Sequence, residues 1–286
     1  MPEGDTLHRS ADRLRPALEG MILQRFTAPR LVGDRPRPGC TIERVEAVGK
    51  HLLVHFDTGL TLQTHLRMSG SWHLYRTGER WRKAAHLARV VVEVEGWVAV
   101  CFSAPVVRTF LPSAPGGPLG TATSPVAHLG PDLCLAEPDL DAGLSRMAQL
   151  TAPDAEIGPV LLDQRVVSGI GNVYKSEVLF ACRVDPFATV GLLDQETKRR
   201  LLATAHRLLR ANLGYGARVT TGLTGGGGVA VYGRHRQPCL RCGTPVRMRR
   251  QGSHARSTYW CPTCQPSHDR PAAQPNPTSG RAEVGW

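Results

Sequence analysis

The first residues of the chain, Met-Pro-Glu-Gly, are of types that could do chemistry at an amine. Initiator methionine is usually removed before a small residue, so we expect the mature chain to begin with Pro2. Its secondary amine would have a reference pKa near ~8 and could attack an electrophilic carbon when it is unprotonated. Glu3 supplies a carboxyl group beside that amine. The alternative is that Pro2 lies in a frayed terminus and has no role.

Four of the eight cysteines have the spacing of metal ligands, Cys239-x2-Cys242-x18-Cys261-x2-Cys264. This spacing is typical of a zinc site, and four thiolates complete its tetrahedral shell, so we predict one structural Zn²⁺ that does no chemistry. Two disulfides are the alternative, which a cytosolic location disfavours. The other cysteines, which are isolated and predicted to be small buried side chains or idle thiols, are Cys40, Cys101, Cys134 and Cys182.

The stretch Ser168-Gly169-Ile170-Gly171-Asn172 is a candidate phosphate-binding turn between two predicted helices. A glycine turn that leads into a helix N-terminus presents free backbone N–H groups and the positive end of the helix dipole. Asn172 could add a side-chain donor to the same phosphate. On its own the motif is weak, and a plain turn between two helices is the alternative.

The distribution of charge favours a polyanionic partner. Lys and Arg exceed Asp and Glu by 35 to 24, which gives a net charge of +11. No acidic residue lies between Thr197 and His268, although this stretch is rich in arginine. A field of one sign over so much chain attracts DNA or RNA. The alternative is a basic face that is merely solvated.

The elements that must position these residues fall into two parts. A helix is predicted near the start, with Asp5 or Thr6 as its cap and Pro16 kinking its last turn. Short alternating runs from 21 to 110 predict an antiparallel β-sandwich. The Pro/Gly/Ser-rich stretch that begins at Leu111 marks a domain junction, and helical periodicity dominates after it. No run approaches the ~20 apolar residues of a membrane span, and there is no secretory pattern, so we expect a cytoplasmic protein.

Five features, taken in chain order, resemble the formamidopyrimidine-DNA glycosylase and endonuclease VIII family. They are the N-terminal proline, the adjacent glutamate, the lysine of VGKHLL, the hairpin SGIGNVYKSEVL, and SHARSTYWCPTC in the cysteine-rich segment. The resemblance extends from Pro2 to about Gln265 and indicates the endonuclease VIII branch of base-excision repair enzymes.

This resemblance implies an α+β fold. An N-terminal helix and an antiparallel β-sandwich would precede a helical domain with a helix–two-turn–helix motif and a C-terminal zinc-finger hairpin. The expected boundaries are a catalytic domain at 2–112, a linker at 113–130, a DNA-binding helical domain at 131–233, a zinc finger at 234–265, and a disordered tail at 266–286.

The resemblance also implies a reaction. Members of the family cut the glycosidic bond of an oxidised base and then nick the strand by β,δ-elimination through a Schiff base at C1′ of the sugar. Pro2 matches the nucleophile and Glu3 matches the general acid and base. Lys50 matches a lysine that contacts the damaged nucleotide and its phosphate, although a lone lysine at a strand end is more often simply solvated. The target nucleotide must be flipped out, because stacking shields its reacting face.

Further positions match residues that hold the DNA. Asn172 and Arg256 match residues that clamp the phosphates beside the flipped nucleotide, and Gly169 and Gly171 shape the turn before them. Met68 matches an apolar side chain that fills the gap left by that nucleotide, and its alternative is ordinary core packing. The remaining candidates, whose match to the family's arginine–phenylalanine pattern is poor, are Arg108 and Phe110.

Two departures from the family pattern bear on activity. Many relatives begin PEGPE, whereas Asp5 and Thr6 stand at the last two of these positions, which puts any proton-relay role there in doubt. The segment between Thr220 and Val231 is short and glycine-filled, whereas purine-directed relatives have a longer loop there that covers the lesion. We therefore expect oxidised pyrimidines as substrates.

Two alternative functions stay open. One is a formamidopyrimidine/8-oxoguanine glycosylase, and the other is a non-catalytic zinc protein that binds lesion DNA. Against the second stands the presence of Pro2, Glu3 and Lys50, none of which is needed for binding alone. The expected partner is damaged DNA at the nucleoid, with no membrane contact, and we expect a monomer.

Overall fold

The computed structural model describes residues 2–111, 124–214, 216–221 and 228–267. Helix α1 (Gly4–Leu18) buries Leu7, Ala11, Leu14 and Leu18, which recur at helical spacing. The helix begins two or three residues earlier than the sequence predicted. Glu3 is its N-cap, and the hydroxyl of Thr6 accepts from the Glu3 backbone N–H at 3.4 Å, so the expected cap at Asp5 or Thr6 was wrong.

Two four-stranded antiparallel sheets form the first lobe. The sheet order is β1-β6-β7-β5 in one and β2-β3-β4-β8 in the other. The strands are β1 (Arg25–Thr27), β2 (Ile42–Val48), β3 (His51–Phe56), β4 (Thr61–His65), β5 (Ser71–Arg76), β6 (Ala88–Val94), β7 (Trp97–Phe102) and β8 (Val106–Phe110). Side chains of both sheets and of α1 share one buried core, which includes Leu14, Val54, Leu62 and Val92. This packing fits the predicted sandwich.

Four helices form the second lobe around a separate core. They are α2 (Leu140–Leu150), α3 (Ile157–Leu162), α4 (Asn172–Ala181) and α5 (Gln195–Ala211). The helical pattern expected to run on through IGPVLLDQRVV ends at Leu162. The chain turns there because the carboxylate of Asp163 accepts from the backbone N–H of Arg165 at 2.9 Å, which stabilises a local turn in place of another helical turn.

A two-stranded hairpin, β9 (Arg247–Gln251) and β10 (Arg256–Trp260), packs against α4. Its buried residue Gln251 donates to the carbonyl of Pro186 at 2.8 Å and accepts from the hydroxyl of Thr258 at 2.8 Å. The bond to Pro186 fixes the hairpin on the helical lobe, and the bond to Thr258 joins the two strands of the hairpin.

The buried carboxylate of Asp132 connects the two lobes. It accepts from the backbone N–H groups of Gly49 at 2.7 Å and Cys134 at 2.9 Å, and it lies 2.9 Å from Nε2 of His8. His8 and Gly49 belong to the first lobe and Cys134 to the second, so one side chain fixes three segments relative to one another.

Some predicted features lie largely outside the described residues. These are the linker at 113–130, the tail at 266–286 and the glycine-rich segment between Thr220 and Val231. The domain boundaries stay predictions. Among the helices that the structure describes, none is both long and apolar enough to cross a membrane.

Candidate active site

A cleft of about 440 Å³ lies between the two lobes. The first lobe lines it with Lys50, Met68 and Arg108, and the second lobe lines it with Asn172 and Arg256. The structure therefore brings together five residues that the sequence analysis selected from positions up to 206 residues apart.

The carboxylate of Glu3 is fully buried at the N-terminus of α4. It accepts from the backbone N–H groups of Gly171 at 2.9 Å, Val173 at 2.8 Å and Tyr174 at 3.3 Å. The first turn of a helix carries unpaired N–H groups and the positive end of the helix dipole, so it stabilises an anion. Pro2 is bonded to Glu3 and therefore lies near the same helix end.

The position of the Glu3 carboxylate depends on two glycines, Gly171 and Gly4, which lie too close to neighbouring atoms to carry a side chain. A Cβ on Gly171 would lie 2.3 Å from Cδ of Glu3, and a Cβ on Gly4 would lie 2.8 Å from Cα of Gly169. The backbone N–H of Gly4 donates to the carbonyl of Gly169 at 2.9 Å. Only glycine fits at such contacts.

The same contacts correct the predicted phosphate site. The N–H of Gly171 is bound to Glu3, and that of Gly169 donates to Oε1 of Gln164 at 3.1 Å. The expectation that these two N–H groups hold a DNA phosphate was therefore wrong. The α4 N-terminus holds the protein's own carboxylate, and the two glycines position the beginning of the chain.

Burial shifts the pKa values of Glu3 and Lys50. It raises the pKa of Glu3, against the opposing effects of Arg218, Lys50 and the α4 N–H groups. It lowers the pKa of Lys50 to about 8, with Arg256 acting in the same direction and Glu3 opposing. Both shifts favour the uncharged form of the group, and pKa shifts of this kind cluster at functional sites.

Asn172 and Arg256 lie together in the cleft wall. Nδ2 of Asn172 donates to the carbonyl of Ser257 at 2.7 Å, next to Arg256 in β10. Oδ1 of Asn172 is buried and has no hydrogen-bond partner among the described residues. The pair therefore presents a charged donor and one further amide hydrogen to the cleft.

Met68 lies in the turn between β4 and β5 with 63% of its surface exposed. Its alternative as ordinary core packing is excluded. Arg108 also lines the cleft, where its Nε donates to Oε1 of Gln63. Phe110 pairs with Thr61 at the end of β8 and does not line the cleft, so the prediction that it acts there as a wedge is not supported.

Sequence reasoning missed two histidines in the cleft. His51 and His65 are cross-strand partners whose ring centroids lie 4.7 Å apart. Burial lowers their pKa values to about 3 and about 4, so both rings are neutral at neutral pH. Gln63 donates to Nδ1 of His51 at 2.8 Å and also binds Arg108. Their place beside Lys50 follows from the β3–β4 register, which short motifs do not reveal.

The four predicted zinc ligands converge on one point. The Sγ atoms of Cys239 and Cys264 are 3.9 Å apart and those of Cys242 and Cys261 are 3.4 Å apart, and all four lie within 4.8 Å of one another. Tetrahedral thiolates at the usual Zn–S distance of about 2.3 Å would be separated by about 3.8 Å. The donor set fits one structural zinc ion.

A cleft with basic walls, a buried acid next to the chain terminus and a cysteine hairpin define a two-domain protein that acts on nucleic acid. Family models match three parts of the chain: a formamidopyrimidine-DNA glycosylase N-terminal domain at 1–110, the H2TH domain of the same glycosylase at 129–222, and a zinc finger found in FPG and IleRS at 236–266. The chain belongs to the formamidopyrimidine-DNA glycosylase and endonuclease VIII family.

Curated relatives match over nearly the whole chain. A probable endonuclease 8 2 of Streptomyces coelicolor is 42% identical over 98% of both chains. A protein of Mycolicibacterium smegmatis named DNA-(apurinic or apyrimidinic site) lyase Nei2 is 36% identical over 93% of this chain and 99% of its own. These relatives place the chain on the endonuclease VIII branch.

Solved structures share the fold. The MutM (Fpg) protein of Thermus thermophilus has a TM-score of 0.70 at 27% identity and covers 92% of this chain and 98% of its own. A MutM bound to DNA with carbocyclic 8-oxo-G has a TM-score of 0.73 at 19% identity and covers 93% of this chain and 100% of its own. The second similarity shows the fold alone.

Proposed function

We propose that this protein is a DNA glycosylase and abasic-site lyase of base-excision repair that removes oxidised bases. The observation that carries the proposal is the binding of the Glu3 carboxylate to the N-terminus of α4, because it holds Pro2 and an acid next to Gly171, which lines the cleft. The names of its relatives, endonuclease 8 and abasic-site lyase, support the same reaction class.

In the proposed reaction the Pro2 nitrogen attacks C1′ of the flipped nucleotide. The new N–C1′ bond replaces the bond to the damaged base, which leaves with the glycosidic electron pair. The ionised Glu3 carboxylate takes the proton that the Pro2 nitrogen loses on attack and delivers it to the ring oxygen as the sugar opens, which yields an iminium ion at C1′. Glu3 then accepts and returns the protons of the elimination steps. Loss of the 3′ and then the 5′ phosphate completes β,δ-elimination and nicks the strand.

The remaining cleft residues would hold the DNA for this chemistry. Lys50 contacts the damaged nucleotide and its phosphate, and Asn172 and Arg256 bind the flanking phosphates. Met68 fills the gap in the duplex, and Arg108 contacts the opposite strand. The four cysteines would hold zinc, which stabilises the hairpin that carries Arg256.

We propose oxidised pyrimidines as the substrate class. The support is the endonuclease 8 relatives and the short glycine-rich segment between Thr220 and Val231. We also infer that a monomer suffices, since every residue assigned to the cleft comes from one chain.

Borohydride trapping tests the proposal. The protein would be incubated with duplexes that carry thymine glycol, dihydrouracil or 8-oxoguanine opposite cytosine, and trapped peptides identified by mass spectrometry. We expect an adduct on the N-terminal peptide with the two pyrimidine lesions. A non-removable extension before Pro2 should abolish it, because an acylated proline nitrogen has no free lone pair.

Each of the other possible results of this experiment would contradict a specific part of the proposed function. Trapping by the extended protein would move the nucleophile elsewhere, with Lys50 as the first candidate. Preference for 8-oxoguanine would favour a formamidopyrimidine glycosylase. Tight lesion binding with no adduct would indicate a non-catalytic binding protein. Glu3→Gln should lower base excision by about 100-fold or more and leave some cleavage of preformed abasic sites.

A further inference from the structure

Asp5, at a position where the chain departs from the family pattern, is a fully buried carboxylate. Arg218 binds it with two hydrogen bonds, from Nε at 3.0 Å and from a terminal nitrogen at 2.6 Å. Such a bidentate pair fixes the plane of the guanidinium group. The carboxylate is therefore engaged by Arg218 and is not a free proton relay.

The guanidinium of Arg218 lies against the helix turn that holds Glu3. Its central carbon is 4.8 Å from the ring centre of Tyr174, and the backbone N–H of Tyr174 donates to the Glu3 carboxylate. The charge of Arg218 lowers the pKa of Glu3, and among the described residues no hydrogen bond joins the two side chains.

The backbone around Arg218 is also held in place. Asn212 donates to the carbonyl of Val219 and accepts from its N–H, both at 2.8 Å. Arg9 of α1 donates to the carbonyl of Gly216 at 2.9 Å. Since the residues on both sides of Arg218 are anchored, the position of its charge is part of the fold.

We propose that Arg218, held by Asp5, is a positioning residue whose fixed positive charge favours the ionised form of the buried Glu3 carboxylate. The proposal rests on the proposed function and assigns a task to an ion pair that the reaction itself does not use. Arg218 does not line the cleft, so we expect its effect to pass through Glu3.

The other cations near Glu3 are less suited to this task. Lys50 also lowers the pKa of Glu3, but less than Arg218 does. Burial lowers the pKa of Lys50 and of Lys175 to about 8, with Arg256 adding to the effect in both cases. An arginine keeps its charge throughout the working pH range, so its effect on Glu3 is constant.

The two members of the pair should shift Glu3 in opposite directions. Arg218→Met removes the positive charge, so the pKa of Glu3 should rise. Asp5→Asn keeps Arg218 and one acceptor for it but removes a nearby negative charge, so the pKa of Glu3 should fall. A purely structural ion pair would give the same loss in both variants.

Carbon-13 NMR of the full chain labelled at glutamate carboxyl groups measures this without requiring activity. Glu3→Gln identifies the Glu3 resonance, which is then titrated in the wild type, Arg218→Met and Asp5→Asn. We expect an upward midpoint shift in the first variant and a downward shift in the second, with Arg218→Lys near the wild type. In each variant, the part of the single-turnover pH profile that depends on Glu3 should shift in the same direction as the Glu3 midpoint.

Unchanged midpoints, or shifts in the same direction, would overturn the proposal. Melting curves establish that each variant is folded, and if Arg218→Met is not folded, the downward shift in Asp5→Asn decides. A failure of the proposed glycosylase activity would appear in the trapping experiment and would leave the NMR titration unaffected, so the two failures are distinguishable.

Discussion

Asn172 at the start of α4 donates its side-chain amide to the carbonyl of Ser257 in β10, at 2.7 Å. Lys175, one turn further along α4, donates to the hydroxyl of the next hairpin residue, Thr258, at 2.6 Å. The helix that seats Glu3 therefore also sets the position of the hairpin residue Arg256. The same helical turn therefore positions both Glu3 and the residue proposed to bind phosphate, Arg256.

Arg256→Ala should weaken binding to every lesion duplex by a similar factor. An arginine that contacts phosphate contributes about one unit to the slope of log affinity against log salt, so this slope should fall by about one. Fluorescence anisotropy over a salt series measures both quantities. Arg247→Ala is the matched control, because Arg247 is exposed on the same hairpin but does not line the cleft. A reordering of lesion preferences with an unchanged slope would make Arg256 a base reader.

Met68→Ala should impair excision from duplex DNA but not from single strands. An inserted apolar side chain offsets an unstacking cost of a few kcal/mol, and a single strand has no gap to fill. We expect a loss of about 10-fold or more on duplexes in single-turnover assays. The melting temperature should not change, because Met68 is 63% exposed. Equal losses on both substrates would contradict the wedge assignment.

DNA affinity should fall as pH rises through about 8. The pKa of Lys50 is lowered to about 8 from the usual 10.5, so its ammonium is charged below this pH and neutral above it. The phosphate attraction is then present at pH 7 and lost by pH 9. Binding to an uncleavable abasic analogue measures the effect. Lys50→Arg should flatten the profile, since arginine stays protonated, and a profile as steep as the wild type's would exclude Lys50 as the source.

Cys261→Ser should abolish zinc binding and weaken DNA binding. Metal binding and folding of the hairpin are coupled, so losing one thiolate should lower zinc from about one ion per chain to almost none. Elemental analysis and limited proteolysis measure the two effects. Cys182→Ser is the control, because Cys182 is a buried cysteine outside the cluster. Full metal content in Cys261→Ser would contradict the assignment.

Local patterns predicted much of the fold. Alternation in ERVEAVGKHLLVHF predicted β2 and β3, and periodicity in NVYKSEVLFAC predicted α4, although nine of the ten residues of α4 are buried and the helix has no exposed face. The pattern failed after Leu162, where Asp163 forms a turn with its own neighbours.

The site was harder to predict, because its contacts join distant segments. The sequence suggested Glu3 and the Gly171 turn separately, but a carboxylate and a phosphate are equally good ligands for a helix N-terminus. Only the fold shows that Glu3 takes that place. His51, His65 and Arg218 do not belong to any short sequence motif. The positions of the two histidines follow from strand register, and that of Arg218 follows from a long-range ion pair.

The carboxylate of Asp132, which binds the β2–β3 turn and lies beside His8, limits how such proteins can be recombined. Consider a chimaera that joined the first lobe of one relative to the second lobe of another. Its Asp132 carboxylate would stay paired only if the first lobe supplied both the Gly49 N–H and His8. Leaving it unpaired would cost about 1–3 kcal/mol or more, a large part of a domain's stability. The two lobes are therefore expected to change together during evolution, as one inherited unit.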